Sequence, residues 1–235
     1  MTDPRLDSVL QAALNRLESA MNAAAMHSGT VLGQLALNSN NASQRQVLMD
    51  AELLLQRESS KLLKTFSKEL QNRVEKEVLR PQQDSKGAFL SDTDWSSLSL
   101  VDDAEVERGV AADRLAQELA VECDKALEAL NSYLSAAIDN GNPDKNPLRP
   151  QVIAKAWLKA LGEMSDDLQV INLIVQHVGR LLSKQLAQAY EQTTQELKSL
   201  GIQPQSLSVQ RAKSAAVSSS TGDHAPTRPA SLQDG

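Results

Sequence analysis

Aromatic residues are scarce in this chain. Its 235 residues include only two Phe, two Tyr and two Trp, although 41% of the residues are hydrophobic. A core of this composition consists mainly of Leu, Val, Ile, Met and Ala. These residues suit packed helices, whereas strands favour β-branched and aromatic side chains. The scarcity therefore argues against a β-rich fold and favours an all-α protein.

Paired cysteines, a positive net charge and a long purely apolar run are also lacking. Cys123 has no second cysteine to bond with, which fits a reducing compartment, and residues 1–5 do not resemble a signal peptide. The 24 basic and 30 acidic residues leave a net charge of −6, which does not attract nucleic acid or anionic lipid. Residues 19–44 contain no Asp, Glu, Lys or Arg, yet polar side chains interrupt them too often for a membrane span. We therefore expect a cytoplasmic protein that binds neither nucleic acid nor membrane.

Motifs for catalysis or cofactor binding are missing as well. The sequence has no glycine-rich phosphate loop, no paired-histidine zinc motif, no nucleophile elbow and no cysteine pair. Its three histidines, His27, His177 and His224, lie far apart in sequence. Because a metal site needs several convergent donors, we predict no catalytic residue, no metal ligand, no cofactor and no enzyme activity.

Apolar residues at helical spacing are present over most of the chain, and they predict a bundle of about five helices, several of them long. The first starts at Pro4 with Asp3 as its cap, and the second spans about 43–79. The third spans 102–138, starts with a capping box at Asp102, and at about 1.5 Å per residue would be roughly 55 Å long. A short fourth helix opens at Pro150. The last follows a cap at Ser165 or Asp166 and stops at Gly201 and Pro204.

The same spacing predicts which side chains face inward. On the second helix they are Val47, Leu48, Ala51, Leu54, Leu55, Leu62, Phe66, Leu70, Val74 and Val78. On the third they are Val106, Val110, Leu115, Leu119, Cys123, Ala126, Leu127, Leu130, Leu134 and Ile138. Each set forms one apolar stripe, which is typical of a helix that packs against a core.

The predicted elements divide the chain into four parts. Residues 1–79 form an N-terminal helical hairpin, and 80–101 form an irregular connection whose Phe89, Leu90, Trp95 and Leu98 anchor it to the helices. Residues 102–204 form a C-terminal helical segment. Residues 205–235 are rich in Ser, Ala, Pro, Gln and Gly, and we interpret them as a disordered tail or linker.

Four strings within residues 98–204 carry a family resemblance. They are Leu98-Ser-Leu-Val-Asp-Asp103 leading to Glu107, Ala129-Leu-Asn131, Asn146-Pro-Leu-Arg-Pro150 and Leu200-Gly-Ile-Gln-Pro204. Together they resemble the proteobacterial domain-of-unknown-function family 1631. The resemblance implies a helical protein of unknown activity whose relatives are usually longer, so that this chain would be an N-terminal portion. Some relatives carry a thymidine phosphorylase name, but the family has no established functional residues to transfer.

Four residues with possible chemistry have simpler structural interpretations. Cys123 lies at core spacing and is interpreted as a packing thiol, and His177 as a histidine on a helix flank. Trp95 and Trp157 are core residues in the favoured interpretation and ligand-stacking platforms in the alternative.

Charged residues also have structural interpretations. The pairs Asp102-Asp103 and Asp166-Asp167 stand at predicted helix starts, where carboxylates complement the helix dipole. A basic cluster on the second helix is interleaved with glutamates, which favours a solvated, salt-bridged face over a phosphate-binding patch. Its members are Lys61, Lys64, Lys68, Arg73 and Lys76, with Glu58, Glu69, Glu75 and Glu77 between them.

Long helices without catalytic motifs favour a non-catalytic interaction or scaffold module that binds a protein partner or self-associates. The uncharged Ala20–Leu37 segment is the first candidate for the binding surface, and an internal helical hairpin is its alternative. The alternative function is a regulatory module that binds a small ligand, such as a nucleotide second messenger, between helices.

Overall fold

The computed structural model of the protein describes residues 4–79, 103–138 and 146–204. Within these ranges the chain forms seven helices and no strand, which confirms the all-α prediction. The helices are α1 (Pro4–Asn38), α2 (Ala42–Arg57), α3 (Ser59–Leu79), α4 (Asp103–Glu122), α5 (Asp124–Ala137), α6 (Pro150–Gly162) and α7 (Leu168–Ser199). The predictions for 80–101 and 205–235 lie outside the described residues, as do Asp3, Asp102, Trp95 and His224.

The five predicted helices correspond to seven because two of them bend at one residue. Glu58 separates α2 from α3 with φ −95° and ψ 6°, and Cys123 separates α4 from α5 with φ −101° and ψ 7°. Hydrogen bonding continues across both bends: Leu62 N–H donates to the Glu58 carbonyl at 2.9 Å, and Leu127 N–H donates to that of Cys123 at 2.8 Å. The first bend lets α2 pack on α1 and α7 while α3 packs on α6.

Side chains and turns at the helix starts explain where the elements begin. Asn41 caps α2, and its Oδ1 accepts from the amides of Ser43 and Gln44 at 2.9 Å and 3.2 Å. Pro150 occupies the first position of α6, as its fixed φ favours. The predicted caps of the last helix, Ser165 and Asp166, are wrong. Asp167 caps α7 instead, because its Oδ1 accepts from two amides of the first turn at 2.8 Å and 3.3 Å.

Gly201 ends α7 as the sequence predicts. Its φ of 78° lies in the left-handed region, which glycine adopts without a Cβ clash. Two backbone bonds close the end: Gly201 N–H donates to the Lys198 carbonyl at 2.9 Å, and Ile202 N–H donates to the Leu197 carbonyl at 3.3 Å. This pattern satisfies carbonyls that the last helical turn would otherwise leave free.

Helix α6 lies at the centre of a continuous hydrophobic core. Nine of its thirteen residues are buried, and it packs against α3, α4 and α7. Trp157 meets Phe66 of α3 edge to face, with ring centroids 5.8 Å apart. Most predicted inward residues are buried or partly buried in this core. Val106 and Val110 are exceptions: they are exposed near the start of α4, so their assignment to the inward face is wrong.

Candidate functional site

An apolar surface is exposed on the outer side of the hairpin that α1 and α2 form. Its large side chains are Met26, Leu37, Met49 and Leu53, and Leu37 exposes 85% of its surface. A groove of about 470 Å³ lies between the two helices, lined by Thr30, Gly33, Gln34, Ala36, Leu37, Arg45, Met49, Glu52 and Gln56. We call these side chains and the groove the α1–α2 face. Clustered exposed apolar residues of this kind mark interaction sites.

Two glycines of α1 allow α2 to approach closely and so shape the groove. A Cβ on Gly33 would lie 2.5 Å from Oε1 of Glu52, and a Cβ on Gly29 would lie 3.4 Å from the Cβ of Leu55. These pairs also show that the two helices run antiparallel, since the later residue of α1 faces the earlier residue of α2. The Glu52 carboxylate therefore lies against the α1 backbone in the groove.

The groove lining contains one cation and one carboxylate, both on α2. Arg45 donates from Nε and Nη2 to the Ser39 carbonyl at 3.2 Å and 2.6 Å, which holds it at the hairpin turn. Glu52 accepts from Gln56 Nε2 at 3.1 Å. Met49 lies between the two charges in sequence. The face therefore has an apolar centre with a positive group on one side and a negative group on the other.

The Ala20–Leu37 segment lies wholly within α1, with one side buried and the other exposed. One side of the segment is buried in the core, and its buried residues include Ala20, Met21, Ala24, Ala25 and Leu32. The other side contributes Met26 and Leu37 to the α1–α2 face. Sequence reasoning missed Met49 and Leu53, the half of the face that α2 supplies. Their signal was available, because they are one helical turn apart and fall outside the inward stripe.

Cys123 is a buried packing thiol, which confirms its interpretation from the sequence. It is 1% exposed, and Sγ donates to the Ser183 carbonyl at 3.1 Å. Burial, together with the nearby Glu122 charge, raises the pKa of the thiol from 9.0 to about 11. The thiolate is the nucleophilic form, so both its burial and its pKa make Cys123 a poor nucleophile at neutral pH.

The histidines that the structure describes do not converge. His177 is partly buried on α7, and burial, followed by the positive charge of Arg180, lowers its pKa. His27 is exposed on α1. In the described ranges, no group of three or more His, Cys, Asp or Glu side chains is placed to hold a metal ion. His177 is thus a helix-flank residue, as the sequence suggests.

Trp157 is a core residue and has no exposed ring face for stacking a ligand. It is 0% exposed, and among the described residues its indole N–H has no hydrogen-bond partner. Phe66 packs against its ring from α3. The favoured interpretation from the sequence is therefore confirmed for Trp157.

The charged clusters predicted from the sequence have mixed outcomes. Of the acidic pair on α7, Asp167 caps the helix and Asp166 is exposed beside it. In the basic cluster, Arg73 pairs with Glu69 at 2.7 Å, as expected for a salt-bridged face. The exposed members of that cluster are Lys61, Lys64, Lys68 and Lys76.

A buried turn before α6 contains one of the strings that carried the family resemblance and is hydrogen-bonded to a second string on α5. Asn146 Nδ2 donates to Asn131 Oδ1 of α5 at 2.6 Å, and Asn146 Oδ1 accepts from the Leu148 amide at 2.7 Å. Tyr190 of α7 donates from its hydroxyl to the Leu148 carbonyl at 2.7 Å. Three parts of the chain are thus tied together where α6 begins. These residues of the family strings have a structural role here, because they hold the turn in position.

Over the described residues the chain is an all-α protein with exposed apolar side chains on its α1–α2 hairpin. The family model described as "Protein of unknown function (DUF1631) N-terminal domain" matches residues 3–201, and the chain belongs to this family. The match includes residues 3–97 as well as residues 98–201 of the region that carried the resemblance. No curated protein and no solved structure matches the chain. In the described part of the chain, no helix combines the length and hydrophobicity needed to cross a membrane.

Proposed function

We propose that this chain is a non-catalytic helical interaction module that self-associates through the α1–α2 face. The observation that supports this proposal is the exposure of four large apolar side chains on α1 and α2: Met26, Leu37, Met49 and Leu53. Two of them, Leu37 and Met49, line the groove. A second copy of the chain is the partner that we propose, because α2 has a charge pattern that complements itself.

That pattern consists of Arg45 and Glu52, which are two helical turns apart with Met49 between them. When two α2 helices pack antiparallel about a two-fold axis near Met49, Arg45 of each copy lies beside Glu52 of the other. A two-fold interface requires such self-complementarity, since the same patch serves both copies. Nη1 of Arg45 has no partner among the described residues, so it can donate to the second copy.

The proposed dimer should depend on concentration, because its apolar contribution is similar in size to the cost of association. Covering the exposed half of one such side chain contributes about 1 kcal/mol, so four on each copy contribute roughly 8 kcal/mol. The loss of translational and rotational freedom opposes this with about 4–15 kcal/mol. Because the two terms are similar, the Arg45–Glu52 pairs influence the balance.

The non-catalytic part of the proposal rests on the dispersion of reactive groups. Cys123 is buried with a raised pKa, His177 lies on α7, and His27 is exposed on α1. A nucleophile and its base must lie within hydrogen-bond reach of each other for covalent catalysis. These three side chains lie on separate elements and form no such pair.

Sedimentation velocity over a range of concentrations tests self-association. We expect the native chain to dimerise, Met49→Glu and Leu53→Glu to remain monomeric, and Val121→Glu to behave as the native chain. Val121 is a matched control because it is 70% exposed on α4, away from the face. A native chain that is monomeric up to about 1 mM, where association contributes only about 4 kcal/mol, overturns the proposal.

Charge exchange tests the two-fold arrangement separately. Arg45→Glu alone and Glu52→Arg alone each place like charges together across the axis, so both weaken the dimer. The double variant restores opposite charges and recovers most of the native affinity. If all three variants dimerise with the native affinity, the antiparallel α2 pairing is wrong, because Arg45 and Glu52 then do not face each other across the interface.

A further inference from the structure

A second feature lies where the end of α3 meets the start of α6. A cavity of about 220 Å³ is present there, lined by Glu69, Arg73, Lys76, Glu77, Arg149, Gln151, Val152 and Lys155. It shares no lining residue with the α1–α2 face. Its properties are therefore independent of self-association.

The cavity is positive although the chain is negative. Four cationic side chains and two carboxylates line it, and 4 − 2 gives a local charge of +2, against −6 for the whole chain. Two of the cations come from α3 and two from residues 149 and 155. Like charges placed together repel each other, and a bound anion removes that repulsion.

Ion pairs use only part of this charge. Arg73 pairs with Glu69 at 2.7 Å, and Arg149 pairs with Glu77 at 3.0 Å. Lys76 and Lys155 take part in none of the ion pairs that the structure describes. Both carboxylates are thus already paired, and two ammonium groups remain available to a ligand.

Arg73 adds a donor that is hidden from water. Its Nε is buried and has no hydrogen-bond partner in the described ranges, while its Nη2 binds Glu69. A buried donor without a partner is unfavourable, because it has lost its water without gaining a replacement. An acceptor oxygen in the cavity reaches Nε only when the Arg73 side chain shifts and exposes this atom.

The backbone at the start of α6 adds to the positive potential. Arg149 is the N-cap of α6, but its side chain makes no capping hydrogen bond, and Gln151 and Val152 line the cavity from the first turn. The amino end of a helix has a partial positive charge that favours anions. The amino end of α6 thus adds to the positive potential of the four cationic side chains. It does not define the site by itself.

The arginine at this helix start is held in place before any ligand arrives. Arg149 Nη1 donates to the Asn146 carbonyl at 3.0 Å, and Nη2 donates to Glu77 at 3.0 Å. Asn146 is itself bonded to Asn131 of α5. Because these groups are already ordered, a ligand loses little additional conformational entropy when it binds.

We infer that the α3–α6 cavity binds the phosphate group of a small phosphorylated ligand. Phosphate oxygens are multiple acceptors with negative charge, which matches the two lysines, the Arg73 guanidinium and the α6 amino end. The volume is below the roughly 300–1,000 Å³ of pockets that enclose a whole drug-sized ligand. The cavity therefore accommodates a phosphate or pyrophosphate group, and any further part of the ligand lies outside it. This inference gives the alternative small-ligand function a proposed location.

Isothermal titration calorimetry with pyrophosphate, at constant ionic strength against a chloride blank, tests this inference on the full chain. We expect saturable binding that weakens by about tenfold in Lys155→Gln and again in Lys76→Gln/Lys155→Gln, since a hydrogen bond to a charged group has about this effect. Lys64→Gln/Lys68→Gln is the matched control. It removes the same charge from the exposed part of α3, and we expect its affinity to stay within about twofold.

Further titrations distinguish the sources of the phosphate group. Tighter binding of a nucleoside diphosphate than of pyrophosphate indicates a nucleotide ligand, and the reverse order indicates a free inorganic anion; either supports the site. Absence of saturable binding by all the anions overturns it. Equal losses in the cavity variant and in the Lys64/Lys68 control overturn it too, because binding then depends on overall charge alone.

Discussion

Removing the hydroxyl of Tyr190 is expected to destabilise the protein through the turn that begins α6. Tyr190 is 1% exposed, and its hydroxyl donates to the buried Leu148 carbonyl at 2.7 Å. Tyr190→Phe keeps the shape of the ring but leaves that carbonyl without its donor. Loss of one partner of a buried hydrogen bond costs about 1–3 kcal/mol. For a chain of this size, about 2 kcal/mol corresponds to a fall in Tm of about 4–8 °C.

The other tyrosine is a matched control for this change. Tyr133 is partly buried, and its hydroxyl has no hydrogen-bond partner among the described residues. The Lys198 ammonium lies 5.4 Å from its ring centroid, a contact that a phenylalanine ring preserves. Tyr133→Phe is therefore expected to change stability by less than about 0.5 kcal/mol.

The difference between Tyr190→Phe and the native chain should also depend on pH. Burial, followed by the nearby Cys123, raises the pKa of Tyr190 well above 10.0 in the folded state. Above pH 10, the tyrosine ionises in the unfolded chain first, which stabilises that state and lowers native stability. Phenylalanine cannot ionise, so the gap between variant and native chain narrows as pH rises through this range.

Urea unfolding at pH 7 and at several values above pH 10 measures both effects. The expected result is a lower midpoint for Tyr190→Phe at pH 7 with an unchanged m value, and convergence with the native chain at high pH. Equal losses from the two tyrosine variants at pH 7 refute the reasoning, because the hydrogen bond to Leu148 then has no special effect. A gap that widens above pH 10 refutes the ionisation argument.

Four further predictions concern packing, ionisation and activity. Gly179→Ala places a Cβ 2.8 Å from a buried leucine methyl of α4, so it should lower stability by about 1–3 kcal/mol. The Cβ of Gly109→Ala meets nothing within 4 Å, so this variant should raise stability by about 1 kcal/mol. Thermal unfolding measures both changes. Leu127→Asp should cost roughly 2–4 kcal/mol because the side chain packs against the core, while Lys68→Ala changes little; similar losses in Tm contradict the assigned faces. Because the pKa of Cys123 rises from 9.0 to about 11 on folding, stability should fall as pH rises through that interval, and less so in Cys123→Ser. Purified protein incubated with thymidine and phosphate should release no thymine above the buffer blank, and turnover that disappears when Leu127→Asp unfolds the chain would contradict the non-enzyme proposal.

Local pattern was sufficient for the class of fold and for most helix faces. An apolar residue every three or four positions places side chains on one side of a helix whatever the helix packs against. Leu119, Leu130 and Phe66 were assigned to the core in this way, and all three are buried. The helix ends at Pro150 and Gly201 could also be predicted, because their roles there depend on their own backbone preferences.

The bends at Glu58 and Cys123 could not be predicted from the sequence, because neither site has the Gly or Pro that usually interrupts a helix. The helices on the two sides of each bend have different neighbours. Both α2 and α3 pack against α1, but α2 also packs against α7 and α3 against α6; α4 packs against α6 and α7, and α5 mainly against α7. The exposure of Val106 and Val110 follows similarly from which neighbours α4 has. A periodic stripe shows that a helix has an apolar side, but it does not show how far along that side the neighbours reach.

Both candidate sites depend on residues that are distant in sequence. Periodicity in α1 identified one half of the α1–α2 face, but antiparallel packing was needed to bring Met49 beside Leu37. The α3–α6 cavity was harder still to predict from the sequence, since Arg73 lies more than seventy positions from Arg149 and Lys155. The sequence alone determined which residues are charged and which turn of which helix they occupy. Only the tertiary structure decided that cations from two helices share one cavity, because their convergence results from burying α6 against α3.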